Sequence, residues 1–170
     1  SSVTQKVNLL NNLGVDFIVT KKFDKTFSKT KSINFIKNIL SKKLKARFIF
    51  VSNNFRFGNK REGDVEFLIQ NEKKYNYQVV KPKPLLINKK IVSSSLIRSY
   101  LEKGFLEKAN NLLNRKWSID GIVQKGRQVG KKIGFPTCNI DIKDYILAKP
   151  GVYAVRVLRK TDLKILKGIA

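Results

Sequence analysis

Three clusters in the 170-residue sequence hold side chains suited to binding phosphate, a metal ion or a heterocycle. The first is Ser93-Ser94-Ser95-Leu96-Ile97-Arg98. Ser93 or Ser94 suits the cap of a helix, whose first turn exposes unpaired N–H groups and the positive end of the helix dipole. Serine hydroxyls add donors there, and Arg98, about one turn on, can bring its fork of donors to the same oxyanion. The chemistry predicted is phosphate binding. The alternative is an ordinary capped helix carrying a solvated arginine.

The second cluster runs from Gly126 to Asn139. Gly126-Arg127-Gln128-Val129-Gly130-Lys131-Lys132-Ile133-Gly134 holds three glycines and three cations. Glycine lets a backbone approach a ligand closely and turn its N–H groups inward, while Lys and Arg supply countercharge. Phe135-Pro136-Thr137-Cys138-Asn139 follows. Pro136 pins the entry to a predicted strand. Thr137 and Asn139 then alternate, so their side chains share one face. A hydroxyl and an amide carbonyl are oxygen ligands of the kind Mg²⁺ takes beside nucleotide phosphates. This is not a Walker loop, because no Gly-Lys-Ser/Thr opens a helix. The alternative is a basic hairpin loop with no ligand.

The third cluster is Ser52-Asn53-Asn54-Phe55-Arg56-Phe57-Gly58, directly after an apolar run. Ligands of open α/β sheets bind beyond the carboxyl ends of the strands. Asn54 can hydrogen-bond a heterocycle edge there. Phe55 and Phe57 can stack on it, or pack into a core and anchor the loop.

Elements must hold these clusters in place. Residues 3–13 predict a helix with Val3, Val7, Leu10 and Leu13 on one face, stopped by Gly14. Residues 15–20 predict a short buried strand. A second helix is expected over 31–44, and a strand covered on both faces over 48–51. A loop at 52–63, a helix at 64–75 and a strand at 77–80 complete an alternation that predicts an α/β parallel sheet. Lys81-Pro82-Lys83-Pro84 breaks the pattern, and an apolar stretch follows. Helices are expected from 93 or 94 to about 103, ended by Gly104, and over 105–113. After Asn114 the pattern turns to strands at 117–124, 137–142, 151–158 and 164–169, around the basic loop at 125–134. A second, all-β unit is expected from about 115, part of a small barrel.

The totals narrow the classes. Apolar residues make up 42% of the chain, enough for a packed core, so disorder is excluded. The single cysteine, Cys138, cannot pair internally, and nothing suggests secretion. No apolar run approaches the ~20 residues of a membrane span, so a cytoplasmic protein with no membrane partner is expected. The sequence contains no His, which excludes His-based acid, base or metal chemistry within it. The net charge of +24 raises the alternative of a basic, non-catalytic nucleic-acid-binding protein. However, the cations are mostly Lys, spread along the chain without a basic-aromatic recognition pattern. A generally basic surface suited to small anions is the preferred reading.

Taken in order, the three clusters resemble the bifunctional riboflavin kinase/FMN adenylyltransferase (FAD synthetase) family of bacteria. The likeness includes Phe55-Arg56-Phe57-Gly58-Asn59-Lys60-Arg61-Glu62-Gly63-Asp64 and Pro150-Gly151-Val152-Tyr153-Ala154-Val155. It runs through essentially the whole chain. The resemblance implies an α/β nucleotidyltransferase-like domain over 1–114 and a truncated riboflavin kinase-like β-barrel over 115–170. The activities implied are transfer of the ATP γ-phosphate to riboflavin, giving FMN, and adenylylation of FMN by ATP, giving FAD and pyrophosphate. ATP, Mg²⁺ and flavins would be the ligands. In the transferase, Ser93, Ser94, Ser95 and Arg98 would grip ATP phosphates, and Asn54, Phe55 and Phe57 would line the flavin side. In the kinase, Gly126, Gly130, Lys131, Gly134 and Pro136 would hold ATP, with Thr137 and Asn139 on the metal.

Some positions depart from the family pattern. Ser95 stands where Thr is usual, Cys138 where Ala is usual, and Lys131 where Arg is usual; the last keeps the charge but loses the bidentate fork. The family's His-x-Gly-His motif and its kinase Glu have no counterpart here. The resemblance therefore implies an internal segment with no catalytic group of its own, inactive by itself. An intact, degenerate relative that binds without catalysis is a further reading. Neither the residues nor the resemblance sets an oligomeric state.

Overall fold

The computed structural model describes residues 1–126, 129–132 and 134–170. Arg127, Gln128, Ile133 and the side chain of Lys131, which the sequence assigns to a phosphate loop, lie outside the described residues. The chain divides into two compact units, one of Ser1–Asp16 with Val92–Ala170 and one of Phe17–Ile91.

Helix α1 (Val3–Asn11) belongs to the first unit. Ser2 caps it, its Oγ accepting from the Gln5 N–H at 3.2 Å. The strand expected over 15–20 does not form. A strand needs a ladder partner, none is present among the described residues, and Phe17 and Val19 lie exposed.

In the second unit, α2 (Lys25–Ser28) is capped by Asp24. The helix expected over 31–44 forms in two parts. α3 (Ser32–Asn34) runs into a π-helical stretch, Phe35–Lys43, which closes on a Leu44 N–H to Ile39 C=O bond of 2.9 Å. Strand β1 (Phe48–Phe50) follows. After a 3₁₀ turn at Asn59–Arg61 come α4 (Val65–Gln70), α5 (Glu72–Tyr75) and β2 (Gln78–Val80). Asp64 caps α4 by accepting from the Phe67 N–H at 2.9 Å. Asn71 ends it by donating to the Phe67 carbonyl at 2.8 Å, so the helix expected over 64–75 is broken there.

β1 and β2 pair in parallel, Ile49 opposite Val79. Only Ile49 faces the core; Phe48 and Phe50 are 62% and 68% exposed, so β1 is not covered on both faces as its apolar run suggested. The core joins Ile36, Ile49, Phe57, Leu68 and Tyr77. Residues after the Pro-rich break form a hairpin of β3 (Leu86–Ile87) and β4 (Lys90–Ile91). Asn88 and Lys89 turn it with φ of 50° and 61°.

Back in the first unit, α6 (Ser94–Glu102) and α7 (Leu106–Leu113) pack as a pair that buries Leu101 and Ala109. Gly104 takes φ +79° at their junction. Of the strand expected over 117–124, only β5 (Val123–Gln124) forms. Helix α8 (Val129–Lys132) lies in the predicted basic loop. β6 (Asn139–Ile140) pairs antiparallel with β5, and β7 (Ala154–Arg159) with β8 (Lys164–Ile169).

All four sheets of the described residues are two-stranded. The parallel part of the expected α/β sheet is thus one strand pair, and no barrel closes. A barrel needs every strand paired on both sides, whereas each strand here has one neighbour. All of β8 is exposed.

Candidate functional site

The serine cluster sits where its spacing predicts. Ser93 is the N-cap of α6, with extended φ/ψ of −142° and 153°, and its Oγ accepts from the Leu96 N–H at 3.2 Å. Ser93, Ser94, Ser95 and Arg98 are all exposed. Leu101, about one turn beyond Arg98, is buried and anchors the C-terminal half of the helix. The nine-residue α6 thus offers a solvent-facing first turn with serine hydroxyls and a guanidinium on the same helix.

Residues 126–139 bring glycines against the two oxygen donors. A Cβ on Gly126 would sit 2.0 Å from the Asn139 Nδ2 and 3.8 Å from its Oδ1. Gly126 therefore makes room for the amide nitrogen, and the amide oxygen faces away from it. A Cβ on Gly130 would meet the Phe135 carbonyl oxygen at 2.2 Å and the Thr137 Oγ1 at 3.3 Å. The Phe135 N–H donates back to the Gly130 carbonyl at 2.8 Å, which closes the turn. Gly134 takes φ +83°, open to a glycine alone at little cost. Pro136, Thr137 and Asn139 are exposed. Asn139 lies in β6, but Thr137 precedes the strand, so strand alternation does not place it beside Asn139.

The donor set fits a hydrated magnesium ion held chiefly by phosphates. Thr137 and Asn139 offer two neutral oxygens to solvent, and no cluster of three or more His, Cys, Asp or Glu exists among the described residues. A dedicated all-protein cage would need such carboxylates. Mg²⁺ bound beside nucleotide phosphates keeps its waters and needs few protein ligands.

The third cluster is anchored from below. Phe57 is buried in the core of the second unit. Phe55 stacks on it, ring centroids 5.6 Å apart and planes at 17°. Asn54 is exposed at the turn, its Oδ1 accepting from the Ser52 hydroxyl at 2.8 Å. Of the two readings of Phe57, anchor or ligand contact, its surroundings support the anchor. Arg56 is fixed outward by an ion pair with Asp64 at 3.1 Å.

Several positioning residues carried no sequence signal of their own. The Glu62 carboxylate accepts from the Ser32 N–H at 2.7 Å, a charge at the start of α3. Phe57 and Gly63 exchange backbone hydrogen bonds of 3.0 and 2.9 Å, making a tight loop over Ser32. A Cβ on Gly58 or Gly63 would meet Ser32 atoms at 2.8 Å. Gln5, on the first helix, is 4% exposed and donates to Ser118 and Asp120. The Phe-Arg-Phe-Gly…Glu-Gly-Asp string is the only hint at the first network; nothing in the sequence marks the second.

Comparison with known proteins decides the family. The FAD synthetase family model matches residues 1–96. This chain belongs to the FAD synthetase family. The riboflavin kinase model matches residues 113–170 of the same chain. A relative from Buchnera aphidicola subsp. Schizaphis graminum, named bifunctional riboflavin kinase/FMN adenylyltransferase, is 38% identical over 158 residues, 92% of this chain and 51% of its own. A protein of the same name from Escherichia coli strain K12 is 34% identical over 166 residues, 98% of this chain and 53% of its own. The chain thus spans about half the length of these curated relatives. A solved structure titled macrolide-efflux protein, from Streptococcus pneumoniae, matches with a TM-score of 0.77 and 24% identity, covering 99% of this chain and 53% of that one. That likeness shows the fold alone. No helix of the described residues is long and apolar enough to cross a membrane.

Proposed function

We propose that the protein makes flavin cofactors in two steps, phosphorylating riboflavin to FMN with ATP and adenylylating FMN to FAD. The carrying observation is the order of the two family matches, 1–96 and then 113–170, on one chain. The transferase part is assigned to 1–114 and the kinase part to 115–170, the latter contributing strands to a barrel-like fold.

In the kinase step, a riboflavin hydroxyl attacks the ATP γ-phosphorus and ADP leaves. Such transfers depend mainly on positioning and on charge stabilisation. Gly126, Gly130, Gly134 and Pro136 shape a backbone cradle for the phosphates, and Lys131 adds countercharge. Thr137 Oγ1 and Asn139 Oδ1 would hold Mg²⁺, which when bound draws charge from the phosphate oxygens. The base that takes the hydroxyl proton is assigned to no residue of these 170.

In the transferase step, an FMN phosphate oxygen attacks the ATP α-phosphorus and pyrophosphate departs. Ser93, Ser94 and Ser95, with the α6 N-terminus and Arg98, bind ATP phosphates. Asn54 and Phe55 meet the flavin, and Phe57 holds their loop on the core. The basic surface favours such anions without a dedicated nucleic-acid site.

The test is to express the complete reading frame, titrate the protein calorimetrically with riboflavin and MgATP, and follow products by chromatography. FMN should form first and FAD after it. Absence of both flavin binding and FMN formation overturns the proposal.

A further inference from the structure

Helix α1 lies in the segment matched by the FAD synthetase model, yet its buried side chain serves the segment matched by the riboflavin kinase model. Gln5 is 4% exposed. Its Nε2 donates to the Ser118 carbonyl at 3.0 Å, with the Ser118 Oγ at 3.2 Å and the Asp120 Oδ1 at 3.3 Å. Its Oε1 is buried without a partner among the described residues. A buried acceptor left unpaired lowers stability. The amide is therefore a poor choice for packing and a good one for holding acceptors that an apolar residue would strand.

What it holds leads to the phosphate strand. Asp120 is fixed on three further sides. Its N–H donates to the Tyr145 hydroxyl and its carbonyl accepts from that hydroxyl, both at 2.9 Å, and its second carboxylate oxygen meets Lys160 Nζ at 3.1 Å. Gly121 follows, packed so closely that a Cβ would lie 2.2 Å from the Ile140 Cγ2. Two residues after Gly121, β5 pairs with β6, Val123 opposite Ile140 and Gln124 opposite Asn139. This ladder is only two residue pairs long. So short a ladder has little register strength of its own, and a one-residue slip would turn Asn139 to the other face.

We infer that Gln5 is a positioning residue for the kinase: through Ser118 and Asp120 it sets the register of β5 on β6, and so the presentation of Asn139. The inference rests on the reading of Asn139 as part of the nucleotide site. It makes α1, from the transferase-matched part of the chain, a structural requirement of the other activity.

The experiment uses the protein expressed from its complete reading frame, with amide hydrogen exchange read by mass spectrometry and steady-state kinetics of both reactions. Gln5→Ala should speed exchange across 118–124 and 139–140 about tenfold and raise the kinase KM for MgATP about tenfold, the scale of lost support behind a ligand. Adenylylation should stay within about twofold, because Gln5 donates only to Ser118 and Asp120, neither of them assigned to that step. Gln5→Glu, which sets a second carboxylate against Asp120, should behave like Gln5→Ala. Pairing it with Asp120→Asn returns a donor across the gap and should restore most of the protection; this pair also serves if the single variants do not fold.

Unchanged exchange and KM in Gln5→Ala, while Thr137→Ala abolishes the kinase, overturns the inference and leaves the site reading standing. Full kinase activity in Thr137→Ala removes the site reading, and this inference with it. Equal loss of both activities in Gln5→Ala, or no restoration by the paired variant, also overturns it.

Discussion

Replacing Gly130 by alanine tests the proposed kinase loop where main chain lies against main chain. The new Cβ would sit 2.2 Å from the Phe135 carbonyl oxygen and 3.0 Å from the Thr137 Cγ2. An unstrained carbon–oxygen contact is about 3.3 Å or longer, so the two backbones must part by roughly 1 Å. The obstacle is main chain, not the tip of a flexible side chain, and the Phe135–Gly130 hydrogen bond resists the motion. Thr137 lies two residues beyond Phe135 and moves with it. A displacement of about 1 Å in a positioning element can cost about 100-fold in rate, equivalent to roughly 2.7 kcal/mol. Gly130→Ala should therefore lower riboflavin phosphorylation about 100-fold, measured as FMN formed per minute by the protein from its complete reading frame. Gly134→Ala is the matched control. Unlike Gly130 it takes a left-handed φ, +83°, but a Cβ there meets nothing within 4 Å. Its cost is backbone strain of about 1–2 kcal/mol spread through the loop, without a clash against Thr137. Kinase activity of Gly130→Ala within twofold of the parent, or an equal loss in Gly134→Ala, would refute the reasoning.

Further outcomes concern the loop over the core. Glu62→Ala strands the Ser32 N–H and should lower stability by about 1–2 kcal/mol in urea unfolding, while Glu62→Gln, which keeps an acceptor, should lose less than half of that. Gly58→Ala adds a clash at 2.8 Å with the Ser32 backbone to a φ of +79°, and should cost more than Glu62→Ala in the same assay. Tyr77 has its pKa raised to about 12, first by burial and then by the nearby Glu72 carboxylate. Its folded value exceeds its ordinary 10, so its stability contribution is whole below pH 10 and is lost as pH rises toward 12. Unfolding followed between pH 9 and 12 should show this loss in the parent and a shallower one in Tyr77→Phe.

How much of this was legible in the sequence depends on range. Helix α6 and its cap were, because Ser93 and Gly104 act within one turn of their own positions. The core of the second unit was partly legible, since Ile36 and Leu68 sit on apolar faces of helices. Strands were over-read at 15–20 and 117–124. Apolar alternation shows that a segment can pair, but the partner decides whether it does. The β3–β4 hairpin went unread because Asn88-Lys89 is a weaker turn signal than Asn-Gly. Phe57 was open between ligand contact and anchor, since an aromatic after a strand serves either role; burial supports the anchor. Gln5 was invisible. A polar residue on an amphipathic helix reads as solvent-facing, and its acceptors lie 113 and 115 residues away.

The proposed metal donors, Thr137 and Asn139, lie within the riboflavin kinase match, and the proposed phosphate grip, Ser93–95 and Arg98, lies at and just past the end of the FAD synthetase match. Two separate sites make opposite demands on two variants. The most direct measurement is the rate of riboflavin-to-FMN and of FMN-to-FAD conversion by Thr137→Ala and Arg98→Ala, each in the protein from its complete reading frame. Thr137→Ala should lose the first rate and keep the second, and Arg98→Ala should lose the second and keep the first. Equal losses of both rates in both variants would contradict separate sites.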